Sequence, residues 1–385
     1  MTIPFNRTAI LFPAALVAAS CSAQSNGETQ TASSGHSVAI EEFAEFNEPW
    51  AAAFIPATRM LAVTEKAGTI KVIDTGAGTI MPVSGAPEVD YGGQGGLGDI
   101  AFLESEAALT LDAPRTIYLT WAEAGDGNTR GAVMGKGQFL CSAEACAISE
   151  LEVVWRQTPK TSRRGHYSHR IAIAPDESYL FLASGDRQEL EPAQDNSNNL
   201  GTVVRLNLDG STAEGNPFAA DGGVTSEIWS YGHRNILGMD WDADGRLWDV
   251  EHGPAGGDEL NLVAEGANYG WPTRSYGNHY SGKPIPDHSE DDGFTKPAIT
   301  WTPVIAPGDM VFYDGDMFTE WKGQALIAGL QSLGVVRVAI DGETASEAER
   351  IDLDERARAI DIGPDGAVWV LTDGEEGKLI KLTAE

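Results

Sequence analysis

The stretch "WDVEHGPAGGDELNLVAEGANYGWP", residues 248–272, sets a Gly-Pro pair, a Gly-Gly pair and an Asp-Glu pair directly behind an apolar, strand-like run. Carbonyl oxygens of Gly253 and Pro254 would offer hard, neutral ligands of the type calcium takes. Asp258 and Glu259 would add carboxylates to that site or build a second one beside it. A hairpin loop capped by acidic side chains accounts for the same residues without a metal. Other stretches carry residues of comparable capacity. Gln94 stands among glycines in "YGGQGGLGDIAF" (91–102), and His166 and His169 in "RRGHYSHR" (163–170) lead towards Asp186 in "SGDR" (184–187). Arg234 and Asn235 close "YGHRN" (231–235), and Arg356 and Arg358 share one face of a strand in "ERARAID" (355–361). Each has an ordinary reading on its own: tight-turn glycines, loop histidines, acidic turn formers, a solvated strand edge. Gathered in one pocket, Gln, His, Asp, Arg and Asn exceed what turns require and would form a binding or catalytic site.

The elements that must gather them recur along the chain. "IAIAPDESYLFLASGDR" (171–187), "MDWDADGRLWDVEHGP" (239–254) and "IDIGPDGAVWVLTDGEE" (360–376) each read as apolar strand, acidic turn, second apolar strand and polar loop. Weaker copies are "AAFIPATRMLAVTEKAGTIKVID" (52–74) and "GQALIAGLQSLGVVRVAID" (323–341). Antiparallel hairpins repeated over the whole length predict an all-β chain: a β-propeller of four-stranded antiparallel blades around a central channel. About 350 residues at roughly 50 to 60 per blade give six blades. A pair of β-sandwiches is the alternative, but it gives no reason for polar loops to follow the same strand of each repeat. In a propeller those strand ends point to one face, so distant loops converge at the channel mouth.

Composition limits the partners. Of 385 residues, 42% are hydrophobic, enough to bury a large core. Lys+Arg number 26 against 57 Asp+Glu, a formal charge of −31 that repels nucleic-acid phosphates and anionic lipid headgroups, so no nucleic-acid partner is expected. Residues 1–21 read as a signal peptide or lipoprotein signal: Arg7 precedes the apolar run "AILFPAALVAA", too short to span a bilayer, and Cys21 stands where a lipoprotein would be cleaved and acylated. Residues 22–37, polar and rich in Ser, Gln, Thr and Gly, read as a flexible tether, leaving 38–385 as the propeller domain. The expected location is therefore periplasmic or outer-surface, with membrane contact only through a lipid at Cys21. Cys141 and Cys146 suit a hairpin disulfide in that oxidising compartment better than a two-cysteine metal site.

At the blocks "GGQGGLGDIAF", "GHYSHRIAIAPD…SGDR", "LGTVVRLNLDGS…NPF", "IWSYGHRNILGMDWD", "EHGPAGGDELNL…NYGWP" and "RARAIDIGPDG", the chain closely resembles, in order, the soluble pyrroloquinoline quinone (PQQ) glucose and aldose sugar dehydrogenases. The resemblance runs from about residue 40 to the C-terminus. It implies a propeller holding PQQ and Ca2+, an aldose substrate oxidised at its anomeric carbon to the lactone, and an external electron acceptor. His166 matches the catalytic base, Asp186 its supporting carboxylate, and Arg234 the cation beside the reacting quinone oxygen. Gln94 matches a substrate contact, Asn235 a cofactor contact, and Arg356 and Arg358 the cofactor-binding pair, as a flat tricarboxylate requires. The carbonyls of Gly253 and Pro254 match the ligands of the calcium beside PQQ, with Asp258, Glu259 and Tyr269 at a second, structural calcium. Trp301 corresponds to an aromatic near the cofactor, though a lone Trp is equally a core residue. The chain departs from the family pattern at Gln331, where a Lys usually pairs with a PQQ carboxylate and Gln would contribute a cofactor-binding hydrogen bond but no charge, and also at Thr202, where a Lys is common, and Ala359, where an Asp is common. Two further functions suit the same architecture: a calcium-dependent lactone hydrolase, with no need of the arginine pair, and a propeller without PQQ that only binds sugar.

Overall fold

The computed structural model describes residues 38–142 and 145–385; the segments read above as a signal and a tether, with Cys21, lie outside them. The described residues form six blades of antiparallel strands and six short 3-10 turns. Blade I holds Pro49–Phe54, Met60–Glu65, Thr69–Asp74 and Thr79–Ser84; blade II holds Leu97–Phe102, Arg115–Ala124, Arg130–Cys141 and Cys146–Arg156. Blade III holds Ser168–Ile173, Leu180–Ser184, Thr202–Leu206 and Ile228–Tyr231; blade IV holds Ile236–Trp241, Leu247–Glu251, Asp258–Leu262 and Ile299–Trp301. Blade V holds Pro307–Phe312, Ala325–Gly329, Gly334–Asp341 and Thr344–Asp352. Blade VI takes Ala357–Ile362, Val368–Thr372 and Gly377–Ala384 from the C-terminal end and its outer strand, Val38–Phe46, from the other, paired from Val38↔Ala384 to Phe46↔Gly377. That exchange closes the ring and removes a free sheet edge. The outer strands of blades I and II touch through a short parallel pairing of Val83 with Cys146 and Ser84 with Ala147, and Cys141 and Cys146 are joined by a disulfide.

The repeated acidic turn has a local cause. Asp176 Oδ1 accepts the Ser178 N–H at 3.0 Å, Asp242 Oδ1 accepts from Asp244 and Arg246 at 3.0 and 2.9 Å, and Asp365 Oδ1 accepts from Ala367 at 3.2 Å. Each carboxylate thereby closes the hairpin between an inner strand and its neighbour. The left-handed position is glycine in two turns, Gly245 and Gly366 at φ 75 and 78°, and Glu177 at 53° in the third. The stretch 323–341 is a hairpin too, but of the second and third strands of its blade, a different phase from the other copies.

The inner strands pack side by side around the channel, and carboxylates staple one blade to the next. Asp99 accepts the Ile171 N–H at 2.8 Å, Asp240 that of Phe312 at 2.6 Å, Asp309 that of Ile360 at 3.3 Å, and Asp361 that of Phe54 at 2.8 Å. Between the blades lie apolar cores such as the one that joins Trp248, Val250 and Leu260 to Met310, Ile327 and Val336. Because neighbouring strands are antiparallel, the start of each inner strand and the end of each second strand reach the same face. The chemistry-bearing loops therefore come from two places in each repeat, not one.

Candidate active site

At that face His166 enters blade III just ahead of its inner strand, and Asp186 stands two residues beyond the end of its second strand. His166 Nδ1 and Asp186 Oδ1 are 2.7 Å apart. Asp186 is fully buried, and its Oδ2 accepts the Trp271 indole N–H at 2.7 Å. A carboxylate fixed this way holds the Nδ1–H tautomer and leaves Nε2 as the basic nitrogen. Burial pulls the His166 pKa below its ordinary 6.5, and the Arg234 charge adds to this, while the bond to Asp186 opposes it. The imidazole is thus a neutral base at neutral pH. Gln94 Oε1 accepts the His166 backbone N–H at 2.6 Å, so Gln94 also fixes the base in its left-handed backbone at φ 49°.

Arg234 and Asn235 bridge blades III and IV. Glu251, the last residue of a second strand, accepts both backbone N–H groups through Oε2, at 2.6 and 3.2 Å. Arg234 is buried; Nη1 donates to the His252 carbonyl at 3.0 Å and Nη2 to the Tyr280 hydroxyl at 3.3 Å. Its buried Nε has no hydrogen-bond partner in the protein, a donor left for a ligand. His252, pushed down to about 3 by burial and then by the charges of Arg234 and Arg358, is neutral and donates from Nε2 to the Pro307 carbonyl at 2.6 Å.

A cavity of ≈ 370 Å³ opens beside these groups, lined by Trp50, Lys66, Gln94, Asn235, Arg356 and Arg358 among others, a volume typical of small-molecule sites. Asp373, just beyond the second strand of blade VI, holds both arginines: Oδ2 takes Arg356 Nη2 at 3.2 Å and Oδ1 takes Arg358 Nη2 at 3.0 Å. The period-two spacing thus presents two forked cations side by side, a donor set that fits a flat polycarboxylate such as PQQ. The fully buried ring nitrogens of His169, in the cavity wall, likewise have no protein partner.

The Gly253–Pro254 turn, expected to carry an ion, is held by its own main chain. A Cβ on Gly253 would lie 2.2 Å from the Gly257 carbonyl oxygen and 2.3 Å from that of Gly256, so only glycine permits this tightly packed main-chain cradle, whose neutral carbonyls are the donor type a hard cation takes. Asp258 is committed to bracing the cradle, Oδ1 accepting from Gly253 N–H at 2.9 Å and Oδ2 from Ala306 N–H at 2.7 Å. Glu259 is buried beside Glu251, and burial pushes its carboxyl well above the ordinary range. The Tyr269 hydroxyl is spent on the Leu262 carbonyl and the Ala264 N–H, which leaves Tyr269 only its main chain as a ligand.

Two expected residues lie away from the cavity. Trp301 is buried in the core between blades IV and V, and its indole N–H is bonded to Glu347 at 2.8 Å. Gln331 is exposed in a turn where its neighbour Leu330 faces the cavity instead. Asp373, Glu251, Lys66 and Trp271 are not singled out by sequence, and His252 is noted there only as the histidine of its loop. Asp373 could have been singled out, since it occupies nearly the place in its repeat that Asp186 holds in blade III.

Comparison with known proteins assigns first a class and then a family. The structure superposes on the soluble aldose sugar dehydrogenase from Escherichia coli in its apo form with a TM-score of 0.83 and 35% identity, covering 90% of this chain and 100% of that one. The PQQ-bound aldose sugar dehydrogenase of Streptomyces coelicolor, 24% identical with a TM-score of 0.71 over 90% of this chain and 98% of that one, shares the fold. In sequence, the chain is 35% identical over 344 residues to the aldose sugar dehydrogenase YliI of Escherichia coli strain K12, 88% of this chain and 91% of that one. The family model for glucose/sorbosone dehydrogenases matches residues 46–381, and the chain belongs to that family of oxidoreductases.

Proposed function

We propose that this chain is a PQQ- and Ca2+-dependent aldose dehydrogenase that oxidises the anomeric carbon of an aldose to the lactone and hands the electrons to an external acceptor. The observation that carries this reading is the His166–Asp186 pair beside Arg234, next to a cavity walled by two forked cations. PQQ, when bound, would supply the hydride acceptor for the anomeric carbon, and Ca2+ would supply a Lewis acid for the quinone. Everything else falls to the chain. His166 Nε2 takes the anomeric hydroxyl proton, Asp186 stabilises the imidazolium that results, and Trp271 keeps Asp186 from turning away. Arg234 presents positive charge where an oxygen becomes negative, and Gln94 orients both the base and the sugar. Arg356, Arg358 and Asn235 would hold the cofactor, Gly253 and Pro254 the ion beside it, and Glu259 with the Tyr269 main chain the structural calcium.

The arginine pair favours this reading over a calcium-dependent lactone hydrolase, which would have no use for it. The reading of residues 1–37 supports export to the periplasm or outer surface, as a free secreted form or with acylation at Cys21. The test is titration of the apo-protein with PQQ in the presence of Ca2+, followed by a simple aldose. Saturable binding and bleaching of the oxidised quinone by the sugar are expected. A reconstituted protein that reduces no artificial acceptor with any of a panel of aldoses would refute the proposal.

A further inference from the structure

Lys66 is the first residue after the second strand of blade I, in "TEKAGT", an unremarked hairpin turn in the sequence. That position brings it to the same channel mouth as Asp186, His252 and Asp373. Its main chain is pinned: Lys66 N–H donates to the Glu48 carbonyl at 3.0 Å, and its own carbonyl accepts from Leu97 N–H at 2.9 Å. A Cβ on Gly96 would come within 2.1 Å of that carbonyl oxygen, so the neighbouring loop also keeps the Lys66 main chain in place.

The ammonium, by contrast, is loosely engaged. It stands 3.4 Å from Glu48 Oε1, 3.5 Å from the Gly93 carbonyl and 5.8 Å from the centre of the Tyr91 ring. The other Glu48 oxygen is taken by the Tyr91 hydroxyl. Other described lysines with a carboxylate partner hold it much closer: Lys71 at 2.7 Å, Lys160 at 2.5 Å, Lys322 at 2.6 Å, Lys378 at 2.7 Å and Lys381 at 2.9 Å. In a chain of net charge −31, a lysine kept on the cavity wall with its side chain only 18% exposed, and without a close carboxylate, is a cation held ready for an anion.

The charge count of the wall agrees. Arg356 and Arg358 share one carboxylate, Asp373, and Glu48 lines the same cavity beside Lys66, so three cations against two carboxylates leave a net single positive charge to face a tricarboxylate, and none without Lys66. Gln331, at the place where the family pattern has a cation, is exposed in a turn away from the lining. We infer that Lys66 is a third cationic anchor of the cofactor, donating to a PQQ carboxylate from the blade I side of the cavity, opposite in origin to the position the sequence pattern suggests. The inference rests on the proposed PQQ dependence and adds a binding residue to it.

The test is quenching of tryptophan fluorescence as PQQ is titrated into the full-length apo-protein with Ca2+, Trp50 being in the cavity wall. Lys66→Met is expected to weaken PQQ binding about 10- to 100-fold, the loss of one charge-assisted bond, and to flatten the dependence of affinity on salt. Lys66→Arg restores most of the affinity, and Lys322→Met, on the exposed surface, changes nothing. Thermal melting of the apo-variants establishes that they are folded. Unchanged PQQ affinity in Lys66→Met overturns the inference and leaves the functional reading intact. So does a Lys66→Met variant whose only defect is a raised KM for acidic sugars, since the lysine would then serve the substrate. A natural chain that binds no PQQ refutes both.

Discussion

At the mouth where the inner strands begin, the channel wall carries Lys66, Arg356 and Arg358 against Glu48 and Asp373; at the mouth where they end, it carries Glu104, Asp240, Asp314 and Asp361 as well as Arg170 with Asp99 and Asp309, around a cavity of ≈ 440 Å³. The inner strands of blades I, III, IV and VI line both, yet the charges are used differently. At the lower mouth Asp240 and Asp361 each accept a main-chain N–H from the next blade, so their charge is committed to assembly. At the upper mouth the arginines share one carboxylate and the lysine has only long contacts, so positive charge remains for a ligand. Between the two, Arg170 spans Asp99 and Asp309 at 3.0 and 3.3 Å and donates to the Leu237 and Gly308 carbonyls. The difference teaches that upper-mouth substitutions should cost activity at constant stability, and those below should do the reverse.

The largest expected effect is at the base. His166→Asn should lower kcat/KM for an aldose by about 10²- to 10⁴-fold with PQQ affinity and melting temperature unchanged. Steady-state kinetics of the reconstituted enzyme beside calorimetry measure both. A loss of activity matched by a loss of fold would erase the division between the mouths. In the natural enzyme, the acid limb of the kcat/KM profile should lie below the ordinary histidine value of 6.5, because burial and Arg234 lower the pKa of His166.

Arg170→Met tests the boundary. It strands two buried carboxylates, at a cost of about 3–5 kcal/mol, or roughly 10 °C in melting temperature. Asp309 is already pushed up to about 7 by burial even with the arginine present, so the variant should be least stable above that pH. A smaller effect belongs to Glu251→Gln, which keeps one side-chain oxygen where the Arg234 and Asn235 N–H groups now share a carboxylate. Expected is a fall in kcat of about tenfold, the scale of one hydrogen bond to a charged group, with little change in sugar KM. A rise in KM alone would make Glu251 part of sugar binding instead of a support for Arg234.

What the sequence showed and what it hid divide along the same line. The hairpins were legible because an acidic turn between two apolar strands is a local pattern, and its cause, the carboxylate of Asp176, Asp242 or Asp365 closing its own turn, is local too. His166, Asp186, Arg234, Arg356 and Arg358 stood out by residue type and by their family blocks. Asp373, Glu251 and Lys66 do not stand out, because their roles arise only when segments apart in sequence meet: Asp373 matters through Arg356 and Arg358 across a hairpin of its own blade, and Lys66 through Glu48 on its own blade and Gly93 across a blade boundary. Trp301 and Gln331 erred the opposite way. Their family blocks point both towards the cavity, with the core an equal reading for the tryptophan, but strand alternation turns Trp301 into the core and the turn after Leu330 carries Gln331 outward.

The smallest effect isolates the lower mouth. Burial, reinforced by the charges of Asp240 and Glu104, pushes Asp361 up to about 7 from an ordinary 3.8, against the pull of N–H bonds from Phe54 and Ile362. A carboxyl whose folded pKa exceeds its unfolded one binds more protons when folded, so its contribution to stability is full below about pH 4 and is lost as pH rises through 7. Neutral buried histidines such as His169 and His252, each lowered to about 3, act in the opposite sense up to about pH 6.5 and blur the curve of the natural chain. The difference in melting temperature between Asp361→Asn and the natural chain cancels them. It should shift in favour of the asparagine variant by about 2–5 °C between pH 5 and 7.5 and stay level above pH 8. PQQ affinity should stay constant throughout. A flat difference would show that Asp361 is ionised in the folded protein at both ends of the range, and the lower mouth would then hold repulsion that its hydrogen bonds fully offset.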